Sequence, residues 1–392
     1  MIDLALRFCL VALTTSLGWA IRGVWGHWWG ETAVGALCGM SIWLAFGESG
    51  NAWQMLVFGA VIALSHSVGG DISYGQIVAY VVGKRDSRDE EGREIPQRSP
   101  GFGLFAIFLV GGMIGFYPAT ALGLLMRGAS YGLDDLALWA VLASLGAFLA
   151  YKLLVLGLGL RLSPPRSDYW AATLGGAVST MAYFAAMRDL VVLGTGLLGW
   201  FGYGGGFVAG LLLHRKAVRA GWRVDSWKWM EHSVGFFGGI SLASSVALFR
   251  STLAALPLSR PAVLASAIVV FWFVPYMVLS DNFEYWAFER RVISRRAFAA
   301  FHAASLASLP VFIMVVGRIM QTWAGALWHR WPFVLGIWLY VLIAILKPFP
   351  VLGGGLGGFF GFSQWSRCRE WTIVRGTFLA MGFACTILGL LL

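Results

Sequence analysis

The sequence predicts an all-α polytopic membrane protein with about twelve transmembrane helices in two parallel six-helix repeats. Three observations lead to this prediction: the composition, a series of long apolar segments, and a motif that recurs at half the chain length. Of the 392 residues, 58% are hydrophobic and only 12% are charged, and the mean hydropathy is +0.74. Soluble domains carry about 25% charged residues. The composition therefore excludes an ordinary soluble protein and indicates that lipid is the main solvent of the folded chain.

Apolar segments follow one another along the whole chain. A transmembrane helix needs about 20 mostly apolar residues, and twelve segments approach or exceed that length. The predicted spans are 3–21, 32–47, 52–83, 101–126, 136–160, 168–187, 190–213, 230–249, 261–285, 297–317, 332–362 and 373–392.

Two of these segments, 52–83 and 332–362, are longer than one spanning helix requires. As a straight helix the first would extend about 48 Å, against a hydrocarbon core of about 30 Å. It contains a pair of adjacent glycines, and the second contains prolines followed by a run of glycines, all of which disfavour a regular helix. We therefore expect interrupted helices near 66–76 and near 347–358.

The loops between spans alternate in basic content, which predicts the orientation of the chain. Of the 29 Lys and Arg residues, 19 lie in the loops 84–98, 161–166, 214–228, 289–296 and 366–375. Only six lie in the opposite loops 48–51, 127–135, 188–189, 250–260 and 318–331. Basic loops remain cytoplasmic, so we expect both termini outside a plasma (inner) membrane. The net charge of +10 is then a result of topology and does not indicate a nucleic-acid partner.

A repeat at half the chain length predicts the domain organisation. A shift of 200 residues aligns Trp29–Ser41 with Trp229–Ser241, with identical residues at six of the thirteen positions. Six spans per repeat is an even number, so the halves 1–200 and 201–392 would share one orientation. Parallel repeats of this kind occur in transporters, which place the substrate site where the halves meet.

The segment between the first two spans concentrates charged and aromatic residues, namely Arg22, His27, Trp28, Trp29 and Glu31. Such a group could act as a gate or as a platform for a substrate. The alternative is an aromatic belt at the membrane interface, with Glu31 at a helix N-terminus where the helix dipole favours a carboxylate. Glu231 has the same placement in the second repeat, which strengthens this alternative.

The expected break in the third span carries a second polar group, formed by His66, Asp71, Ser73, Tyr74 and Gln76. Interrupted helices expose backbone groups near the membrane midplane, where transporters build ion and substrate sites. We expect these side chains to face a polar cavity, with Asp281 and Glu284 in a comparable place in the ninth span. The alternative is a helix that ends at the glycines and leaves Asp71 as the N-cap of the next one.

Two lysines, Lys152 and Lys347, lie within apolar segments at positions related by the repeat. A charged group at the bilayer centre costs at least about 2.5 kcal/mol on insertion scales, so it needs a partner or a role. Two such ammonium groups could attract an anionic substrate or neutralise carboxylates. Alternatively, Lys347 extends to the cytoplasmic interface along its own methylene groups.

These features favour a secondary transporter of a small polar solute that works by alternating access between the two halves. An anionic solute is favoured by the two lysines alone. We assign substrate binding to Asp71, Ser73, Tyr74, Gln76, Lys152, Lys347, Trp28 and Trp29. We assign coupling to protons or another ion, or gating, to Arg22, His27, Glu31, His66, Glu231, Asp281 and Glu284.

Other functions have less support in the sequence. The chain has no nucleotide-binding motif, its four cysteines lack metal-ligand spacing, and no catalytic triad is evident, so no cofactor, metal or catalytic residue is predicted. The main alternative is an integral membrane enzyme, a transferase or hydrolase, that acts on a lipid-linked or amphipathic substrate. A third is an assembly protein whose polar groups serve helix association alone.

Overall fold

The structure, a computed structural model, describes residues 2–25, 29–48, 52–70, 72, 74–83, 98–162, 169–222, 225–250, 252–284, 287–288, 291, 293–322, 330–346 and 369–392. Within these ranges the chain is all-helical, apart from one isolated β-bridge. The helices are α1 Ile2–Trp25, α2 Gly30–Phe46, α3 Ala52–Ser67, α4 Gly75–Val82, α5 Pro100–Arg127, α6 Leu133–Ala150, α7 Tyr169–Ala186, α8 Leu190–Arg219, α9 Ser226–Phe249, α10 Arg260–Ile268, α11 Val274–Glu284, α12 Arg295–Thr322, α13 Trp331–Leu346 and α14 Arg369–Leu391. Helix α6 continues as a π-helical segment, Tyr151–Gly157, and α10 joins α11 through another, Val269–Phe273.

The described helices fit a membrane-embedded protein. Eight helical stretches in the described ranges are long and apolar enough to cross a membrane, and three shorter apolar helices, α2, α3 and α13, accompany them. The outer helices α6 and α12 are apolar but only 6% buried over their most apolar windows. Such exposed apolar surface suits contact with lipid and not with water.

Six of the described helices form a closed ring. In order around it, α5 packs on α8, α8 on α9, α9 on α1, α1 on α2, α2 on α3, and α3 returns to α5. The ring therefore brings together helices from both predicted repeats. Its interior is filled by large buried side chains, among them Trp19, Phe58, Tyr203 and Phe207. Helices α6 and α7 form a separate pair outside it, and α13 and α14 pack beside α1 and α2.

Two glycines that the shift of 200 residues aligns, Gly35 and Gly235, lie at close helix approaches in the ring. A Cβ atom at Gly35 of α2 would overlap the backbone of Ile62 in α3, and one at Gly235 of α9 would overlap the backbone of Thr15 in α1. Small residues at such crossings let two backbones pack directly, as in other membrane helix pairs.

The interruption expected near 66–76 is present. Helix α3 ends at Ser67, the chain turns through Val68–Gly70, and α4 begins at Gly75. The turn fits tightly, because a Cβ atom at Gly69 would contact the α5 backbone at Ile114 Cα at 2.8 Å. The second expected interruption, near 347–358, lies outside the described residues.

Candidate functional site

A buried ionic cluster lies inside the ring, with Arg22 of α1 at its centre. Arg22 Nη1 donates a hydrogen bond to the Tyr74 hydroxyl at 2.5 Å, and Nη2 donates to Glu31 Oε1 at 3.3 Å. Arg22 is 1% exposed, and Glu31 and Tyr74 are fully buried. Arg22 lies in the last turn of α1 and Glu31 in the first turn of α2. The short connection between these helices therefore places the two charges opposite each other.

The cluster continues from Glu31 into the middle of the ring. Glu31 Oε2 lies 3.3 Å from His66 Nδ1, and His66 Nε2 lies 3.2 Å from the Tyr203 hydroxyl. His66 is in the last turn of α3, where the helix interruption begins, and Tyr203 is in α8. Groups from four separate elements thus form one chain of polar contacts.

A second carboxylate, Glu231, approaches Arg22 from α9. Its Oε2 accepts a hydrogen bond from Lys228 Nζ at 2.5 Å. Its Oε1 has no hydrogen-bond partner in the described part of the chain and lies against Gly23, where any side chain would overlap the carboxylate. Arg22 is therefore attracted by both repeat-related glutamates, Glu31 and Glu231.

Aromatic side chains enclose the charged groups and exclude water. The Trp19 ring lies 5.9 Å from His66 and 5.4 Å from Phe207, measured between centroids. The Arg22 guanidinium carbon lies 5.2 Å from the Trp19 ring centroid and 5.3 Å from that of Tyr74. Both contacts are within the range of cation–π attraction. Electrostatic interactions are stronger in such surroundings than in water.

Among the described residues, the cluster contains two cations and two carboxylates besides His66. Arg22 and Lys228 supply two positive charges, and Glu31 and Glu231 supply two negative ones. A proton gained or lost by His66 or by either glutamate changes the net charge of these buried side chains. Because an uncompensated buried charge is costly, the arrangement links the protonation of the cluster to its packing. It is suited to binding and releasing protons.

The structure brings together five of the predicted site residues: Arg22, Glu31, His66, Tyr74 and Glu231. Five others lie outside the described residues: His27, Trp28, Asp71, Ser73 and Lys347.

The remaining predicted residues lie elsewhere. Trp29 is half-buried and packs edge-on against Phe273, with 5.6 Å between the ring centroids. Lys152 lies in the π-helical segment after α6, with its ammonium 5.5 Å from the Phe148 ring centroid. Gln76 is half-buried in the first turn of α4. Asp281 is half-buried and Glu284 exposed, both in α11.

Sequence reasoning missed Tyr203, Lys228 and Trp19. Lys228 was counted among the basic residues of the loop 214–228, whereas it belongs to the first turn of α9 and is 5% exposed. Tyr203 lies between glycines in an apolar span, and this pattern was the available signal for a polar group at a close helix crossing. Trp19, in an apolar part of the first span, gave no distinguishing signal.

A pocket opens beside the cluster, between the first turns of α9 and the N-terminal half of α14. Asp225, Lys228 and His232 line one side, and Thr377 and Phe378 lie on the other. His232 Nδ1 lies 3.0 Å from the hydroxyl of Ser16 in α1. Across the described residues, no group of three or more His, Cys, Asp or Glu side chains is arranged to hold a metal ion. No protein-family profile, curated protein or solved structure matches this chain.

Proposed function

We propose that the protein is a proton-coupled secondary transporter of a small polar solute. The observation that carries this proposal is the buried chain of contacts from Arg22 through Glu31 and His66 to Tyr203. Ionisable groups inside membrane helix bundles are costly, and they commonly mark proton relays and substrate pathways. Here such groups come from several helices of one ring and contact one another directly.

We assign proton exchange to the contacts among Glu31, His66 and Tyr203. Histidine has an ordinary pKa of about 6.5 in water, so it gains or loses a proton in the physiological range more readily than other side chains. Arginine does not release its proton in proteins. Arg22 therefore acts as a fixed charge that responds to the protonation of its partners.

Coupling to movement follows from the position of the cluster. Arg22 and Glu231 lie where α1 packs on α9, an interface between the two proposed halves, 1–200 and 201–392. A change in net charge at this interface alters the relative stability of two helix arrangements. A ligand can shift a conformational equilibrium only through such differential interaction. Alternating access between the halves, with the solute between them, fits this mechanism.

The proposed orientation places the basic loops in the cytoplasm of a cell bounded by a plasma (inner) membrane. Contacts between loop ends support it, because they join loops that the charge distribution assigns to the same side. Gln54 Nε2 donates to Leu256 O at 2.6 Å, and Arg127 Nε donates to Asp189 Oδ2 at 2.8 Å. All four residues lie in or next to loops of the poorly basic set.

The proposed substrate is a small polar molecule. Lys152 gives no support for an anionic solute, because it lies outside the cluster on the α6 extension. The labelled solutes used in the transport test therefore include neutral sugars as well as carboxylates and phosphates.

Reconstitution into liposomes containing a trapped pH indicator tests the proposal. We expect at least one labelled solute of the panel to accumulate under an imposed pH gradient, with proton movement in step. Glu31→Gln should abolish the pH-driven part, because the amide cannot accept a proton. Glu48→Gln is the matched control, since Glu48 is exposed and contacts Thr252 outside the cluster.

Two outcomes would contradict the proposal. One is solute uptake that is equal with and without a pH gradient and unaffected by Glu31→Gln. The other is covalent change of an amphipathic substrate without accumulation, which would support the membrane-enzyme alternative.

A further inference from the structure

The pocket between α9 and α14 leads toward the ionic cluster. Lys228 forms part of its wall, and the Lys228 ammonium is hydrogen-bonded to Glu231 inside the ring. Glu231 is 1% exposed, yet only three residues along α9 separate it from the pocket wall. A single lysine side chain therefore separates the pocket from the second buried carboxylate.

Among the described residues, Glu231 Oε1 has no hydrogen-bond partner. A buried polar atom without a partner is costly, and an uncompensated carboxylate oxygen is more costly still. A proton on the Glu231 carboxyl group would make this oxygen part of a neutral group, which costs less to bury than a charged one. The carboxyl group is thus placed to take up a proton.

We infer that Glu231 is a second proton-binding site of the transporter, loaded from the cytoplasmic side through the pocket lined by Asp225, Lys228 and His232. The Lys228 ammonium passes a proton to Glu231 Oε2, to which it is hydrogen-bonded, by breaking its N–H bond as the O–H bond forms. Water in the pocket then returns a proton from the bulk to the neutral amine. The assignment rests on the proposed function for its role in transport, although the site itself is measurable without a solute.

Arg22 connects this site to Glu31 by electrostatics and not by proton transfer. When Glu231 is neutral, the guanidinium retains Glu31 as its main counter-ion; when Glu231 is charged, two carboxylates share it. Protonation at one glutamate therefore changes the charge balance at the other. Among the described residues, the charged and titratable groups that face Glu231 are Lys228 of α9, Asp225 at its N-cap, Arg22 of α1 and Tyr74 before α4, with His232 next to it along α9.

The sidedness of the pocket has support in the fold. The first turns of α9 follow the loop 214–228, and α14 begins within the loop 366–375, and both loops belong to the strongly basic set. The pocket therefore opens at the end of the bundle that the charge distribution assigns to the cytoplasm.

Infrared difference spectroscopy of the full-length protein in nanodiscs tests the inference without any substrate. A pH change should produce a carboxyl band that disappears in Glu231→Gln and persists in the control Glu48→Gln. If Glu231→Gln does not purify as a monodisperse protein, Glu231→Asp should shift the same band. A pH-dependent carboxyl signal that is identical in all these variants overturns the assignment of Glu231.

Blocking the pocket tests the route. Thr377→Cys, in a background carrying Cys9→Ser and Cys368→Ser, is modified with a bulky hydrophilic thiol reagent. We expect hydrogen–deuterium exchange of the Glu231 band to slow by about tenfold or more, which corresponds to about 1.4 kcal/mol of added barrier. The matched control, Ser130→Cys, carries the same reagent outside the pocket and should leave the rate unchanged.

The outcomes separate this inference from the proposed function. If modification at position 377 leaves the hydrogen–deuterium exchange rate of the Glu231 band unchanged while pH-driven uptake still works, the pocket is not the proton route. The proposed function is then unaffected. In the opposite case the Glu231 band titrates, with an exchange rate that falls on modification, while solute uptake is the same with and without a pH gradient. That result contradicts proton coupling but supports Glu231 as a proton-binding site.

Discussion

At the scale of single residues, Arg22 determines the stability of the cluster. It faces Glu31 and Glu231, which are both buried. Removing one partner of a buried ion pair leaves an isolated charge and typically costs about 3–5 kcal/mol. Exposed ion pairs contribute much less, about 0–1 kcal/mol.

We predict that Arg22→Met lowers the free energy of unfolding in mixed micelles by about 3–5 kcal/mol. The control Arg7→Met removes an exposed i,i+4 pair with Asp3 and should cost less than about 1 kcal/mol. Adding Glu31→Gln to Arg22→Met should recover part of the loss, because it removes one uncompensated carboxylate. Equal losses of unfolding free energy for the two arginine variants would show that the buried ion pair stabilises the fold no more than the exposed one.

Asp189 provides a second prediction at this scale, in a loop outside the membrane-spanning segments. Burial alone would raise the pKa of Asp189, but hydrogen bonds from Tyr131 and the backbone of Val192, together with the charge of Arg127, lower it below its ordinary value. A lowered pKa stabilises the folded state above the unfolded pKa of about 3.9, and that stability is lost as the pH falls through the folded pKa.

We therefore expect the melting temperature of the wild type to fall below about pH 4. Asp189→Asn should melt lower at neutral pH and show a flatter dependence on pH, because the amide does not titrate. The exposed Asp134→Asn should follow the wild type. Parallel curves for wild type and Asp189→Asn would refute the role of this carboxylate.

Much of the cluster could be predicted from the residues because a charged group in an apolar span stands out. His66 was identified in this way, Arg22 and Glu31 were identified from the charged and aromatic segment between the first two spans, and the repeat added Glu231. The contacts between them could not be predicted, since they depend on which helices are neighbours in the ring. Lys228 was misassigned because its charge fits a basic loop equally well, and only its burial reveals the difference.

At the scale of elements, the ring depends on helices that touch through glycine. Gly35 and Gly235 occupy the same place in the two copies of the repeated motif, but α2 uses its glycine to approach α3, and α9 uses its glycine to approach α1. The two related segments thus both use a glycine for a close helix contact, but each contacts a different helix. The sequence alignment places these two glycines at equivalent positions, whereas the choice of neighbour depends on the fold of the whole bundle.

We predict that Gly235→Val destabilises the protein by at least about 1–3 kcal/mol, because the new side chain must displace the α1 backbone. It should also separate Ser16 from His232 at the same interface. Gly205→Ala is the control, since a Cβ atom at Gly205 meets nothing within 4 Å, and it should change stability by less than about 1 kcal/mol. Thermal unfolding followed by size exclusion measures both; similar curves would argue against a direct backbone contact.

At the scale of the whole molecule, the charge distribution and the loop contacts support one proposed orientation. Described residues in or beside four poorly basic loops form two contacts between loops, Gln54–Leu256 and Arg127–Asp189, and the pocket beside Lys228 lies next to two strongly basic loops. The composition established the membrane class, and the structure supports it with long apolar helices. Twelve spans and two repeats remain predictions.

The orientation predicts which positions react with a membrane-impermeant maleimide in intact cells. With Cys9 and Cys368 replaced by serine, Ser130→Cys should be labelled from outside, and Lys216→Cys should be labelled only after permeabilisation. Both positions are exposed, so a difference in labelling reports sidedness and not burial. The reverse pattern would invert the proposed orientation.

The isolated β-bridge between Gly47 and Leu253 has a consequence for any such movement. Leu253 N donates to Phe46 O at 2.7 Å, and Glu48 N donates to Leu253 O at 2.8 Å. Two backbone hydrogen bonds thus fasten the end of α2 to the segment after α9, opposite the pocket. Breaking both would cost about 1–3 kcal/mol, which in the proposed transport cycle disfavours an outward-open state by about 5- to 150-fold. For the proposed transporter we therefore expect a resting conformation that is closed on the outside.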